Sequence, residues 1–138
     1  MRRLAVDASV AIKWFLPEIH SEAALRLLTE ERELLVPDLV WSEVGNILWK
    51  KWQQGQLEGE DAPAILHDLG RLGLGVRSAR ELAAVAWPLA TRLRRTFYDS
   101  LYLALAESEA CPLVTADRRL FNAVSPSGFD IVWIEDIF

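Results

Sequence analysis

One cysteine, two histidines and a single methionine are scattered through this sequence of 138 residues. The lone Cys111 rules out an internal disulfide. Its apolar neighbours predict a small buried hydrophobe rather than a nucleophile, in a reducing, cytoplasmic setting. His20 and His67 form no convincing pair for acid–base chemistry, and both are expected to face solvent. Also missing are Cys/His zinc spacing, a Gly-Lys-Ser/Thr phosphate loop and a nucleophile elbow. No uncharged stretch is long enough to span a bilayer, so no membrane association is expected. Asp7 interrupts the apolar run after Arg2-Arg3 before it reaches signal-peptide length, so no targeting segment is expected either. An excess of positive charge is lacking too: 15 Lys and Arg stand against 20 Asp and Glu, a net charge of −5. That counts mildly against a tight, non-specific nucleic-acid binder, and leaves room for an enzyme that binds RNA through a local basic rim.

What is present is a core. Hydrophobic residues make up 51% of the chain, and its length suits one domain over residues 1–138. Apolar runs at 3–6, 34–36, 113–115 and 131–134 predict strands, with Gly73–Val76 a weaker candidate. Helices are predicted over Ser9–Leu16, Glu22–Glu31 with Ser21 as N-cap, Asp38–Gln54, Glu60–Leu72, Ala79–Arg95 despite Pro88, Tyr98–Glu109 and Arg118–Val124. Strands alternating with helices predict an α/β three-layer sandwich, its central sheet mostly parallel and flanked by helices.

Asp7 and Asp117 each follow a predicted strand and precede a helix. Ligands of an open parallel sheet bind beyond the carboxyl ends of its strands, although helix capping alone would account for either acid. Asp99 opens a helix that is apolar almost all round, so its carboxylate enters at the edge of the core and needs a cap, a partner or a metal. Glu43 lies inside a helix, where capping cannot explain it. It borders the Val40, Val44, Ile47 and Leu48 stripe, and pairing with Lys50 is the simple alternative. Together the four point to a hard divalent cation, which takes oxygen ligands and relieves the repulsion of clustered carboxylates.

Four segments then resemble one family. Ala5-Val6-Asp7-Ala8-Ser9-Val10 looks like the first motif of PIN domains, and Pro37 to Leu48 resembles the segment that carries their helical Glu. Tyr98-Asp99-Ser100-Leu101-Tyr102-Leu103-Ala104-Leu105-Ala106 is similar to the third motif, and Leu113-Val114-Thr115-Ala116-Asp117 to the fourth. The resemblance implies a PIN-like sandwich and a VapC-type toxin: an endoribonuclease dependent on Mg²⁺ or Mn²⁺, usually dimeric, silenced by a cognate antitoxin protein. By position it implies Asp7, Glu43, Asp99 and Asp117 as catalytic and metal-binding acids, Ser9 and Thr115 as supporting hydroxyls, and Asn46 as an auxiliary polar residue. Arg118 and Arg119, rather than a further acid, follow Asp117.

Arg92, Arg94, Arg95, Arg118 and Arg119 are candidates to rim the site and hold RNA phosphates, if they are not simply solvated helix ends. Of six tryptophans, Trp14, Trp87 and Trp133 are expected in the core, whereas Trp49 and Trp52 beside Lys50 and Lys51 suggest a protein interface. Two other functions stay open here: a catalytically silent binding protein of this family, and a small-molecule phosphoesterase. The latter lacks the second acid of a DxD nucleophile motif at Asp7-Ala8-Ser9.

Overall fold

The computed structural model describes residues 2–29 and 31–137. Strands β1 (Arg2–Val6), β2 (Arg32–Pro37), β3 (Gly75–Arg77), β4 (Leu113–Thr115) and β5 (Ile131–Trp133) form one sheet in the order β3-β2-β1-β4-β5. Every pairing is parallel; Ala5 lies opposite both Leu35 and Leu113, and Val114 opposite both Val6 and Val132. A parallel sheet needs cover on both faces, which is why Leu4-Ala5-Val6, Leu34 to Pro37 and Leu113 to Thr115 are buried without alternation.

The described residues contain helices α1 (Ala8–Ala11), α2 (Ser21–Thr29), α3 (Leu39–Gln53), α4 (Asp61–Leu69), α5 (Ala79–Leu93), α6 (Phe97–Ser108) and α7 (Arg118–Val124). The chain steps from β1 to β2 to β3, then returns past β1 to β4. Right-handed crossovers therefore put α1–α4 over one face and α5 and α6 over the other. Helix α6 contacts β1, β2, β4 and α5, so no side of it meets water from Ser100 to Ala106. That is the physical reason for its all-round apolar sequence. The reversal makes the gap between β1 and β4 the switch point of the sheet.

Several local expectations change. Helix α1 is one turn long and tightens into a 3₁₀ turn over Ile12–Trp14 before Pro17. Ser21 begins α2 rather than capping it: its hydroxyl donates to the Leu16 carbonyl and accepts from the Glu18 N–H, bracing the preceding loop. That helix is described to Thr29, and its predicted continuation through Glu30 lies outside the described residues. Helix α4 stops at Leu69, where Gly70 and Arg71 turn back on His67 and Asp68. Helix α5 runs through Pro88 because the carbonyl it orphans, on Ala84, lies on the exposed side. Ile134 leaves β5 for a 3₁₀ turn.

Trp14 and Trp133 are buried, and Trp49 and Trp52 are exposed. Trp87 is not in the core; it is 64% exposed on the outer face of α5. His20 is less exposed than its sequence context suggests: its ring stands edge-on to Trp133 and its Nδ1 lies 2.6 Å from Glu135. Buried Lys13 pairs with Glu18 at 3.0 Å, and Lys51 reaches the same carboxylate at 3.2 Å, tying α3 to the loop before α2. Cys111 is buried, and burial raises its thiol pKa.

Candidate active site

Asp7 is the first residue beyond β1, and the turn into α1 leaves its carboxylate almost wholly buried at the switch point. Oδ1 accepts from Ser9 Oγ at 2.5 Å and from the Val10 N–H at 3.2 Å, and Oδ2 accepts from Thr115 Oγ1 at 2.5 Å. The two hydroxyls are themselves fixed. Ser9 Oγ accepts from the Ala116 N–H and Thr115 Oγ1 from the Asp117 N–H, each at 3.0 Å. One small network thus joins the ends of β1 and β4 and aims both following acids into the same crevice.

Capping and convergence turn out to be compatible. Asp7 caps α1 through Val10, and Asp117 caps α7 through the N–H groups of Arg119 and Leu120. Asp99 is different. Thr96 caps α6 by accepting from the Asp99 N–H, which leaves the Asp99 side chain free to turn toward the cavity and meet Arg95 Nη2 at 3.3 Å. Glu43 projects from the second turn of α3; no ion pair joins it to Lys50 among the described residues.

All four acids line one open cavity of about 510 Å³. Burial pushes the Asp7 carboxyl up from 3.8 to about 6, against the pull of its bonds from Ser9, Thr115 and Val10, with a small upward push from Asp117. Burial also raises Glu43, which the Tyr102 hydroxyl partly offsets and the Asp99 charge reinforces. Asp99 is raised by burial, lowered by Arg95 and raised again by Asp117. The acids therefore feel one another in a chain: Glu43 to Asp99, Asp99 to Asp117, Asp117 to Asp7.

That arrangement fits a hard divalent cation. Its donors are carboxylate and hydroxyl oxygens, and a positive charge in the cavity would relieve both the burial penalty and the mutual repulsion. Among the described residues no three acids close on a single point as a ready-made cage. An ion that keeps several waters and takes one or two carboxylates plus substrate oxygens, as Mg²⁺ does, needs no such cage.

Other candidates are sorted by the fold. Asn46 lines the cavity. Of the five arginines, Arg95 alone among the described residues bonds a cavity acid through its side chain, while Arg119 meets Asp117 only through its backbone N–H. Arg92 lines a separate hollow with Phe129 and Asp130, Arg94 takes a left-handed backbone (φ 54°) at the end of α5, and Arg118 lies over the Trp133 ring at 3.6 Å. Residues not anticipated are Ser42, Tyr98 and Tyr102, all on the cavity wall. Tyr102 is buried; its hydroxyl sits near the Glu43 carboxylate without a well-formed hydrogen bond, and burial among Glu43, Asp7 and Asp99 holds its pKa far above the ordinary range. The signal was available: Tyr102 lies one helical turn after Asp99 and so shares its face.

The PIN domain family model matches residues 4–125. The chain is 38% identical over 120 residues to Ribonuclease VapC3 of Pyrobaculum aerophilum, covering 86% of this chain and 92% of that one. Among solved structures, a Pyrobaculum aerophilum protein superimposes with a TM-score of 0.72 at 25% identity, covering 97% of this chain and 92% of the other. A chain of a toxin–antitoxin complex from Klebsiella pneumoniae shares the fold, with a TM-score of 0.65 at 15% identity over 97% and 99% of the two chains. The protein described here belongs to the PIN-domain family, among its VapC ribonucleases.

Proposed function

We propose that this chain is a single-domain, metal-dependent endoribonuclease that hydrolyses RNA phosphodiester bonds as the toxin of a toxin–antitoxin pair. The observation that carries the reading is the convergence of four carboxylates, from four separate segments, on one cavity at the switch point of the sheet. Asp7, Glu43, Asp99 and Asp117 would hold the cation, Mg²⁺ or Mn²⁺. Such an ion, when bound, lowers the pKa of water and stabilises charge on a phosphodiester.

The chain's own residues supply the preorganisation. Ser9 and Thr115 fix both oxygens of Asp7, so that the carboxylate cannot rotate away from the cavity. Arg95 pairs with Asp99 at 3.3 Å and restrains its carboxylate. Tyr102 offers Glu43 a buried proton donor that stays protonated at any physiological pH.

The VapC kinship supports an antitoxin partner and a homodimer. Trp49 and Trp52 on α3 and Trp87 on α5, each more than half exposed, offer apolar area for such contacts. No helix among the described residues is long and apolar enough to cross a membrane, and a buried reduced thiol suits the cytoplasm.

The test is cleavage of total RNA by purified, antitoxin-free protein in Mg²⁺, Mn²⁺ or chelator, with Asp99→Asn as control. Discrete products that need metal and vanish in the variant are expected. Equal cleavage by Asp99→Asn, or in chelator, would overturn the site assignment. Absence of cleavage across several RNA pools would favour a silent binding protein.

A further inference from the structure

The cavity has a second wall that the four acids do not explain. Ser42, Asn46 and Lys50 stand at four-residue intervals on α3, so they form a straight row on one face, and all three are exposed into the cavity. No hydrogen bond or ion pair engages their side chains among the described residues. Tyr98, at the start of α6, lines the same cavity with 60% of its surface exposed, although the residues from Ser100 to Ala106 are buried. A free ring, a free hydroxyl, a free amide and a free ammonium thus face one volume beside the acids.

We propose that Tyr98 and the Ser42–Asn46–Lys50 row form a subsite for one unpaired nucleotide next to the scissile phosphate. The base stacks on the Tyr98 ring, its polar edge meets Asn46 and Ser42, and Lys50 takes a neighbouring phosphate. Lys50 lies seven residues beyond Glu43, about 10 Å along the helix axis, a spacing that suits a phosphate next to the one at the acids. Stacking accepts any base, and the amide and hydroxyl add edge recognition. A duplex hides its base faces and would leave this wall unused. The net charge of −5 agrees: with little bulk attraction for phosphate, affinity must come from local contacts. An RNA base is favoured over a protein side chain as occupant because the ring shares its cavity with the proposed cleavage centre.

The inference rests on the ribonuclease reading, and its test separates the two. Cleavage of single-stranded oligoribonucleotides is measured for the parent, Tyr98→Ala, Tyr98→Phe and Lys50→Ala, beside the melting temperature of each. Binding to the same RNA is measured in the Asp99→Asn background. Tyr98→Ala is expected to weaken binding and raise KM by about five-fold or more, and Tyr98→Phe, which keeps the ring, to restore both to within about two-fold of the parent. Lys50→Ala is expected to flatten the slope of log affinity against log salt by about 0.7. An abasic nucleotide beside the cleaved bond is expected to erase the difference between parent and Tyr98→Ala. A parent that cuts RNA while both alanine variants keep its KM and salt slope overturns the subsite alone. Loss of antitoxin binding by Tyr98→Ala with unchanged RNA binding would reassign the wall to a protein partner. A parent that cuts no RNA removes both readings.

Discussion

Asp7→Asn is expected to stabilise the metal-free protein at neutral pH, although it removes a residue central to the proposed chemistry. Burial raises the Asp7 carboxyl from 3.8 to about 6. Below about pH 3.8 the group is protonated whether the chain is folded or unfolded, and it adds no pH-dependent term. Between 3.8 and 6 the unfolded chain releases the proton first, so the folded state binds more protons and stability falls as pH rises. The loss is complete about one unit above pH 6. At about 1.36 kcal/mol per pH unit, it amounts to about 3 kcal/mol. Because Asp7 is buried, little of this is screened.

Asparagine has no charge to bury. Its oxygen can still accept from Ser9 and Val10, and its amide can donate to Thr115 Oγ1, so the substitution carries a pH-independent cost of about 1 kcal/mol from rearranged hydrogen bonds. Glu18 and Glu109, whose ion pairs lower their pKa values, tilt stability the opposite way with pH, but equally in both proteins. The quantity to measure is therefore the difference between variant and parent, by urea denaturation in chelator from pH 4 to pH 8. The variant is expected to gain about 2.4 kcal/mol on the parent across that range, most of it between pH 4 and 6.5, which moves the relative urea midpoint by about 1 M or more. A gap that stays constant from pH 4 to pH 8 would refute the claim that the carboxylate is held at a desolvation cost. Addition of Mg²⁺ or Mn²⁺ at pH 7.5 is expected to stabilise the parent and not the variant.

Thr115→Val removes a hydroxyl that both donates to Asp7 and accepts from the Asp117 N–H; a loss of about 10–100-fold in kcat/KM is expected, with destabilisation of about 1–3 kcal/mol, and parental activity would show that the hydroxyl does not position the acids. Trp133→Ala is expected to cost about 3–5 kcal/mol and Trp87→Gln less than about 0.5 kcal/mol by urea denaturation, because the first ring is buried and the second is exposed on α5; a large loss for Trp87→Gln would contradict its placement.

Residue pattern alone was enough to read the class of fold and to pick out four acids that line one cavity. Short apolar runs at 4–6, 34–36 and 113–115, bounded by turn residues and alternating with helical segments, match strands buried on both faces, and the longer all-apolar stretch after Asp99 matches an inner helix. Motif order then fixed which carboxylates to watch. Tertiary structure decided what local pattern cannot carry. Capping alone accounted for Asp7 or Asp117 as well as a site did. Their convergence depends on β4 lying beside β1, a pairing between residues more than a hundred positions apart. Trp87 fits a core by composition, yet the face of α5 turned toward α6 carries Leu82, Ala86 and Leu89 instead. Closeness in sequence puts the arginines near the motifs, but helix direction sends Arg92 to another hollow and Arg118 onto Trp133. The free wall of Ser42, Asn46, Lys50 and Tyr98 became visible only once α3 and the start of α6 stood across one cavity, because a shared surface depends on packing between helices rather than on spacing within either one.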